Sequence, residues 1–153
     1  MLGLDFDKLV VDCKENIWIQ IYGKQPSSPN GNYEVRLLLI KKIKRGLEQR
    51  IGWSSGRFPT FGSSSTYPDI HTICQSLDLN LQTIWYQLGY MGFTYVNSQF
   101  RRRGYGTELV KALENSFKRQ GAGYVCASVG ADGKLLLLNL GYHVLGNTAF
   151  KKL

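Results

Sequence analysis

The run Val96-Asn97-Ser98-Gln99-Phe100-Arg101-Arg102-Arg103-Gly104-Tyr105-Gly106-Thr107 constrains this chain more than any other stretch. It follows a β-rich segment, residues 91–96, and leads into a helical pattern. Leu109, Val110, Leu113 and Phe117 share one face of that helix, while Lys111, Glu114, Lys118 and Arg119 take the other. Gly121 stands where a left-handed C-terminal cap belongs. The run is therefore a strand-to-helix loop carrying two glycines and three arginines. The first N–H groups of a helix lack partners inside it and lie at the positive end of its dipole, so such a loop suits a phosphate or pyrophosphate. Gly104 and Gly106 let the backbone approach a ligand closely, and the arginines add positive charge. On that pattern alone, an exposed basic connection is an equally good reading.

The whole run resembles motif A of the GNAT superfamily of acyl-CoA N-acetyltransferases, in which a strand is followed by Arg/Gln-x-x-Gly-x-Gly/Ala and a helix. Arg101 to Gly106 fits the core of that motif, Val96 the strand end, Phe100 the usual aromatic and Leu109 the first buried helix position. Further on, Gly123 to Val129 reads as a buried strand, Gly130 to Gly133 as a turn and Lys134 to Leu140 as a short apolar helix. That order, ending in Leu140-Gly141-Tyr142, is similar to the superfamily's motif B. The resemblance spans about Gly92 to His143.

It implies an α/β fold with a mixed, mostly antiparallel central sheet flanked by helices, the acyl-CoA N-acyltransferase (GNAT-like) fold, as a single domain over residues 1–153. It implies an N-acetyltransferase in which a primary amine of a small molecule or peptide directly attacks acetyl-CoA. Acetyl-CoA, with coenzyme A as its carrier, would lie in a splay between the strand ending at Val96 and the strand around Val125. Backbone N–H groups from Arg102 through Thr107, including Gly104, Tyr105 and Gly106, would hold the pyrophosphate, with Arg101 and Arg103 adding charge. Thr94, Tyr95 and Val96 would border the pantetheine arm, Tyr95 and Val96 pairing with it like an added strand.

The chain departs from the family pattern where acid–base chemistry is concerned. Leu137 stands where many members carry a tyrosine, Gly130 where an asparagine is common, and no carboxylate lies between Trp85 and Arg101. Tyr90 occupies the comparable position on the motif A strand, and Tyr142, Tyr95 or water are the other candidate acids. A phenol is a poor base at neutral pH unless its pKa is moved. Reliance on positioning and an already deprotonated amine, or a non-catalytic acyl-CoA-binding or regulatory domain, remain open beside catalysis by these tyrosines.

The rest of the chain sets the frame. Its 153 residues with 43% apolar content suit one domain with a substantial core. A formal charge of +8 favours a polyanionic partner. Cys13, Cys74 and Cys126 form neither a disulfide framework nor a zinc pattern, and Cys126 reads as a core residue rather than a nucleophile. Asp5 and Asp7 do not suit a signal peptide, and no apolar run is long enough to span a bilayer, which points to a cytoplasmic protein without a membrane partner. Oligomeric state is left open, a homodimer included.

Ile17, Ile19 and Ile21 alternate with polar and aromatic residues as a strand, residues 23–32 form a turn, and Tyr33 to Ile43 pairs back as a hairpin. The basic stretch Lys41 to Arg57 reads as the solvated face and turn of a β-hairpin, with nucleic-acid binding a lesser alternative. Ser54 to Tyr67 reads as a loop. Asp69 to Leu88 has helical spacing broken near Asp78 to Asn80, with His71 as a surface or capping group before a catalytic base. The helices that usually follow the family's first strand are missing there, and a hairpin comes directly.

Overall fold

Alternation of buried and solvated positions shapes the first half of the computed structural model, which describes residues 4–26, 31–59 and 69–153. Four antiparallel strands follow one another: β1 (Leu4–Asp12), β2 (Ile17–Lys24), β3 (Tyr33–Lys44) and β4 (Leu47–Phe58). Ile19 pairs with Leu39 and Ile21 with Leu37, and all four are buried on one face, as the period of two requires. The β2–β3 pairing is thus the expected one, except that Gly23 and Lys24, expected in the turn, are paired residues of β2; residues 27–30 of that turn lie outside the described residues. The basic stretch is the β3–β4 hairpin, turning at Arg45 and Gly46, whose φ values are +47° and +80°.

Two expectations for this half are overturned. Residues 54–58 are not loop but the continuation of β4, paired on both sides. Their serine and glycine content reflects close neighbours: Ser54 is fully buried, its Oγ 2.9 Å from Thr94 Oγ1. The expected loop beyond Pro59, residues 60–67, and the helix start at Pro68 lie outside the described residues. The edge strand β1 has no counterpart in the sequence reading; Leu9 and Val10 are exposed, so no clean alternation marks it.

The predicted helix over 69–88 is two short ones, α1 (Ile70–Ser76) and α2 (Leu81–Ile84), followed by a 3₁₀ turn at Trp85–Gln87. The break is at Asp78, φ +58°, and Asn80 restarts the chain by accepting the Gln82 N–H at 2.9 Å. Leu88 belongs to the next strand, β5 (Leu88–Val96), which is longer than the expected 91–96 because Leu88 to Met91 pair with a neighbour. Then come α3 (Tyr105–Arg119), β6 (Tyr124–Ser128), α4 (Ala131–Asn139), β7 (His143–Leu145) and β8 (Thr148–Lys152). Residues 131–133, expected as a turn, form the first turn of α4, with Gly130 at its N-cap.

The described strands make one sheet in the order β1-β2-β3-β4-β5-β6-β8-β7, antiparallel except for β5 and β6. α3 covers one face. Leu109, Val110, Leu113 and Phe117 are fully buried against β2–β5, each contributing about 1.5–3 kcal/mol. Leu137 and Tyr142, from α4 and the residue before β7, join the same cluster. The opposite face carries α1 and α2, packed on Leu88, Cys126 and Phe150. α3 ends as predicted: Gly121 has φ +94°, and the Ala122 N–H reaches back to the Phe117 carbonyl at 3.0 Å. None of the described helices is long and apolar enough to cross a membrane.

Candidate active site

β5 and β6 pair in parallel from Leu88–Tyr124 to Met91–Ala127 and then part. β5 continues to Val96 along β4, leaving the backbone groups on its β6 side without a strand beyond Met91. On the β4 side the register steps from Ser54–Thr94 to Gly56–Met91, so β5 carries one extra residue, a bulge at Gly92 and Phe93. The splay opens a cavity of about 280 Å³ lined by Met91, Phe93, Val110, Ala127, Gly130 and Leu137, among others. Thr94 lines it too; Tyr95 and Val96 continue the same strand edge toward the loop.

The loop at the end of this edge has the conformation of an anion cradle. Arg102 and Gly104 are left-handed, with φ +63° and +86°, which turns successive N–H groups to one side. The first helical bond of α3 runs from the Glu108 N–H to the Gly104 carbonyl at 3.1 Å, so the N–H groups of Gly104, Tyr105, Gly106 and Thr107 have no acceptor within the helix. Arg101, Arg102 and Arg103 are exposed around it. Arg101 Nε donates to the Val96 carbonyl at 2.8 Å with its guanidinium over the Tyr95 ring, and Arg103 lies over Phe100. Arg101 therefore ties the loop to the strand end as well as supplying charge.

Tyr105 anchors the cradle from below. Its ring is buried and its hydroxyl donates to Asp12 Oδ2 at 2.8 Å, joining α3 to β1. Burial and that carboxylate push the Tyr105 pKa up, while the same bond, with the Glu15 N–H, holds the Asp12 carboxyl below its usual range. Asp12 thus favours the folded state above the ordinary carboxylate pKa, an advantage lost as pH falls below about 4 toward its lowered folded value. Tyr105→Phe is expected to be less stable than the parent chain at pH 7, with the gap narrowing at pH 3. Urea midpoints at both pH values check it, and a gap that widens on acidification contradicts the pairing.

Tyr142 stands apart from the splay. It is buried, its hydroxyl donates to Glu114 Oε2 at 2.6 Å, and Glu114 also meets Lys151 Nζ at 3.0 Å. Burial first, then the carboxylate, raises the Tyr142 pKa far above that of an ordinary phenol. Glu114 was expected on the solvated face of α3 and is instead buried, because Lys151 on β8 and Tyr142 supply its partners. Cys126 is fully buried and desolvation pushes its thiol up to about 12, which suits a core residue. His71 is exposed on α1.

A second cavity, of about 600 Å³, opens on the sheet face opposite α3. Its walls are alternate residues of four adjacent strands: Tyr22 and Lys24, Glu34 and Arg36, Ser55 and Arg57, and Tyr90. Tyr90 pairs with Arg57, whose guanidinium lies 5.2 Å from the centre of the Tyr90 ring. Gly92 lines both cavities, and a Cβ added there would stand 3.0 Å from Ser55 Oγ. The bulge is thus the point where the groove on one face meets the splay on the other. Sequence reasoning singled out Tyr90 only as a candidate hydroxyl on its strand, read Arg57 as part of a solvated basic face, and missed Glu34, Arg36 and Ser55. Their period-two spacing on β3 and β4 was the available signal, obscured by reading residues 54–58 as loop.

Residues 61–134 match the model of the acetyltransferase (GNAT) family. Among solved structures, an acetyltransferase from Bacillus cereus is similar at a TM-score of 0.55 and 16% identity, over 80% of this chain and 74% of that one. An acetyltransferase from Thermus thermophilus gives 0.51 and 12% identity over 78% and 64%. The NatC complex bound to Gag peptide and CoA gives 0.53 and 13% over 77% and 70%. At such identities the likeness is one of fold. No curated protein matches the chain by sequence.

Proposed function

From a chain that has the fold of the GNAT superfamily and carries that family's signature over residues 61–134, we propose an acetyl-CoA-dependent N-acetyltransferase acting on a primary amine. The meeting of two cavities from opposite sheet faces at the Gly92 bulge carries this reading. The splay takes the acyl donor and the groove takes the amine. The residues present fit a coenzyme A pyrophosphate: the N–H groups of Gly104 to Thr107 lack helical acceptors, and the left-handed Arg102 and Gly104 gather them. The edge of β5 that β6 leaves uncovered beyond Met91, along Thr94, Tyr95 and Val96, suits an extended amide-bearing arm, with the Val96 carbonyl already held by Arg101.

In the reaction, the acetyl group passes from sulfur to nitrogen: an N–C bond forms, the C–S bond breaks, and the amine's proton leaves as the thiol gains one. The chain's contribution is chiefly alignment of the amine with the thioester across Gly92. Ser55 and Tyr90 line the groove side of that point, and their hydroxyls are the groups to relay the proton. Tyr142, with its hydroxyl committed to Glu114, holds the α3–β8 packing instead. The free thiols Cys13, Cys74 and Cys126 support a reducing, cytoplasmic setting.

One observation favours a second reading, an acyl-CoA-binding domain without turnover: the donor cavity wall carries the apolar Leu137 where the family often has an acid. Two measurements separate these. Calorimetry with acetyl-CoA is expected to show one-to-one binding in either case, and its absence removes both readings. Thiol release from acetyl-CoA against a panel of amines is expected to exceed the rate without amine; a panel wholly at background leaves binding alone.

A further inference from the structure

The groove is strongly biased in charge. Lys24, Arg36 and Arg57 face it against the single carboxylate of Glu34, with Tyr22 and Tyr90 as the remaining titratable groups on its walls. Glu34 is the direct cross-strand partner of both Lys24 and Arg57, yet among the described residues it forms no ion pair with either. The Arg57 Nε is shielded from solvent and no acceptor reaches it among the described residues. A guanidinium offers carboxylate or phosphate a planar two-pronged fit. Arg57 lies opposite Tyr90, two residues along β5 from Gly92, or roughly 7 Å.

We propose that the acceptor is an amine that also carries an anionic group, a carboxylate or phosphate, which Arg57 binds with Arg36 and Lys24 while the nitrogen reaches the Gly92 bulge. This rests on the acetyltransferase reading and narrows it. A polyamine would bring positive charge into a groove that already holds an excess of it. The same excess favours the neutral form of a bound amine, which is the form that attacks. A cationic groove thereby eases the proton problem left by the missing carboxylate on β5. The acceptor's own anion, placed on Arg57, keeps the complex from being repelled.

The test compares glycine, 4-aminobutyrate and 2-aminoethyl phosphate with n-butylamine and spermidine as acceptors, by thiol release from acetyl-CoA. The expected result is a kcat/KM for at least one anionic amine tenfold or more above that of n-butylamine, about 1.4 kcal/mol. Which of the carboxylates or the phosphate leads identifies the anion. In Arg57→Gln that ratio is expected to fall toward one, with Arg57→Lys in between, and the acidic limb of the pH profile, where the bound amine loses its proton, is expected to move to higher pH. Turnover in which n-butylamine or spermidine is used as well as the anionic amines overturns the inference and leaves the acetyltransferase reading standing. If no amine is turned over, that reading fails, and calorimetry of 4-aminobutyrate and 2-aminoethyl phosphate with coenzyme A present decides the inference. Binding that weakens tenfold in Arg57→Gln supports it, and no binding at about 10 mM overturns it. Unchanged thermal melting of the variants excludes loss of fold as the cause.

Discussion

Replacing Phe117 by alanine is expected to lower the stability of the chain by about 3–5 kcal/mol, the largest effect of any single truncation on the α3 face. The ring is fully buried and lies where the sheet beneath it has no side chains. A Cβ built on Gly56 would come within 2.6 Å of Phe117 Cζ, and one on Gly89 within 2.9 Å of its Cδ2. The two glycines form a flat floor and the phenyl group fills the space above it, beside Phe58 at 6.5 Å between ring centres. Nothing on that floor can move in to refill the space, so the truncation leaves a cavity near its full volume. For a chain of this length the loss corresponds to a fall in melting temperature of about 6–20 °C. Urea unfolding of the variant checks it, and a change under about 1 kcal/mol would show that α3 is held mainly by other contacts.

The glycine floor explains why that packing was only half legible beforehand. The spacing of Leu109, Val110, Leu113 and Phe117 exposed the buried face of α3 in the sequence, because a helix repeats its buried stripe every three or four residues. What the stripe packs against could not be read, since Gly56 and Gly89 look like turn residues. Gly56 in particular helped residues 54–58 pass as loop. Strand β4 was cut short for that reason, and with it went the row of Ser55 and Arg57 that walls the groove.

Glu114 taught the converse lesson. A glutamate at a solvated helical position is the ordinary expectation, and only Tyr142 and Lys151, from elements distant in the chain, make its burial tolerable. The geometry of the proposed cradle was legible because every one of its parts is local: strand end, left-handed turn and helix start lie within twelve consecutive residues, Val96 to Thr107. The groove was not, because its walls come from four strands whose register only the folded sheet establishes.

That local character makes the cradle open to a test in which stability and affinity move independently. Gly104→Asp is expected to weaken acetyl-CoA binding by at least about 100-fold, or about 2.7 kcal/mol. A carboxylate about 4 Å from a phosphate in a partly shielded site is opposed by roughly 4 kcal/mol, and it would also occupy the N–H donors meant for the ligand. The fold should suffer little. Gly104 has φ +86° with open space around a Cβ, and aspartate is among the residues that tolerate the left-handed region and favour helix N-termini. Gly106→Ala separates the two effects more finely. Its Cβ would find only Leu136 Cδ2 at 3.4 Å, an ordinary contact, and alanine raises helix propensity by up to about 1 kcal/mol, so the variant should melt no lower than its parent. Its affinity for acetyl-CoA should nonetheless fall, because the added methyl stands where the backbone would approach the pyrophosphate. Calorimetry and thermal melting of both variants decide the matter. If Gly104→Asp binds acetyl-CoA as tightly as the parent chain, the loop is a basic connection and the donor is held elsewhere.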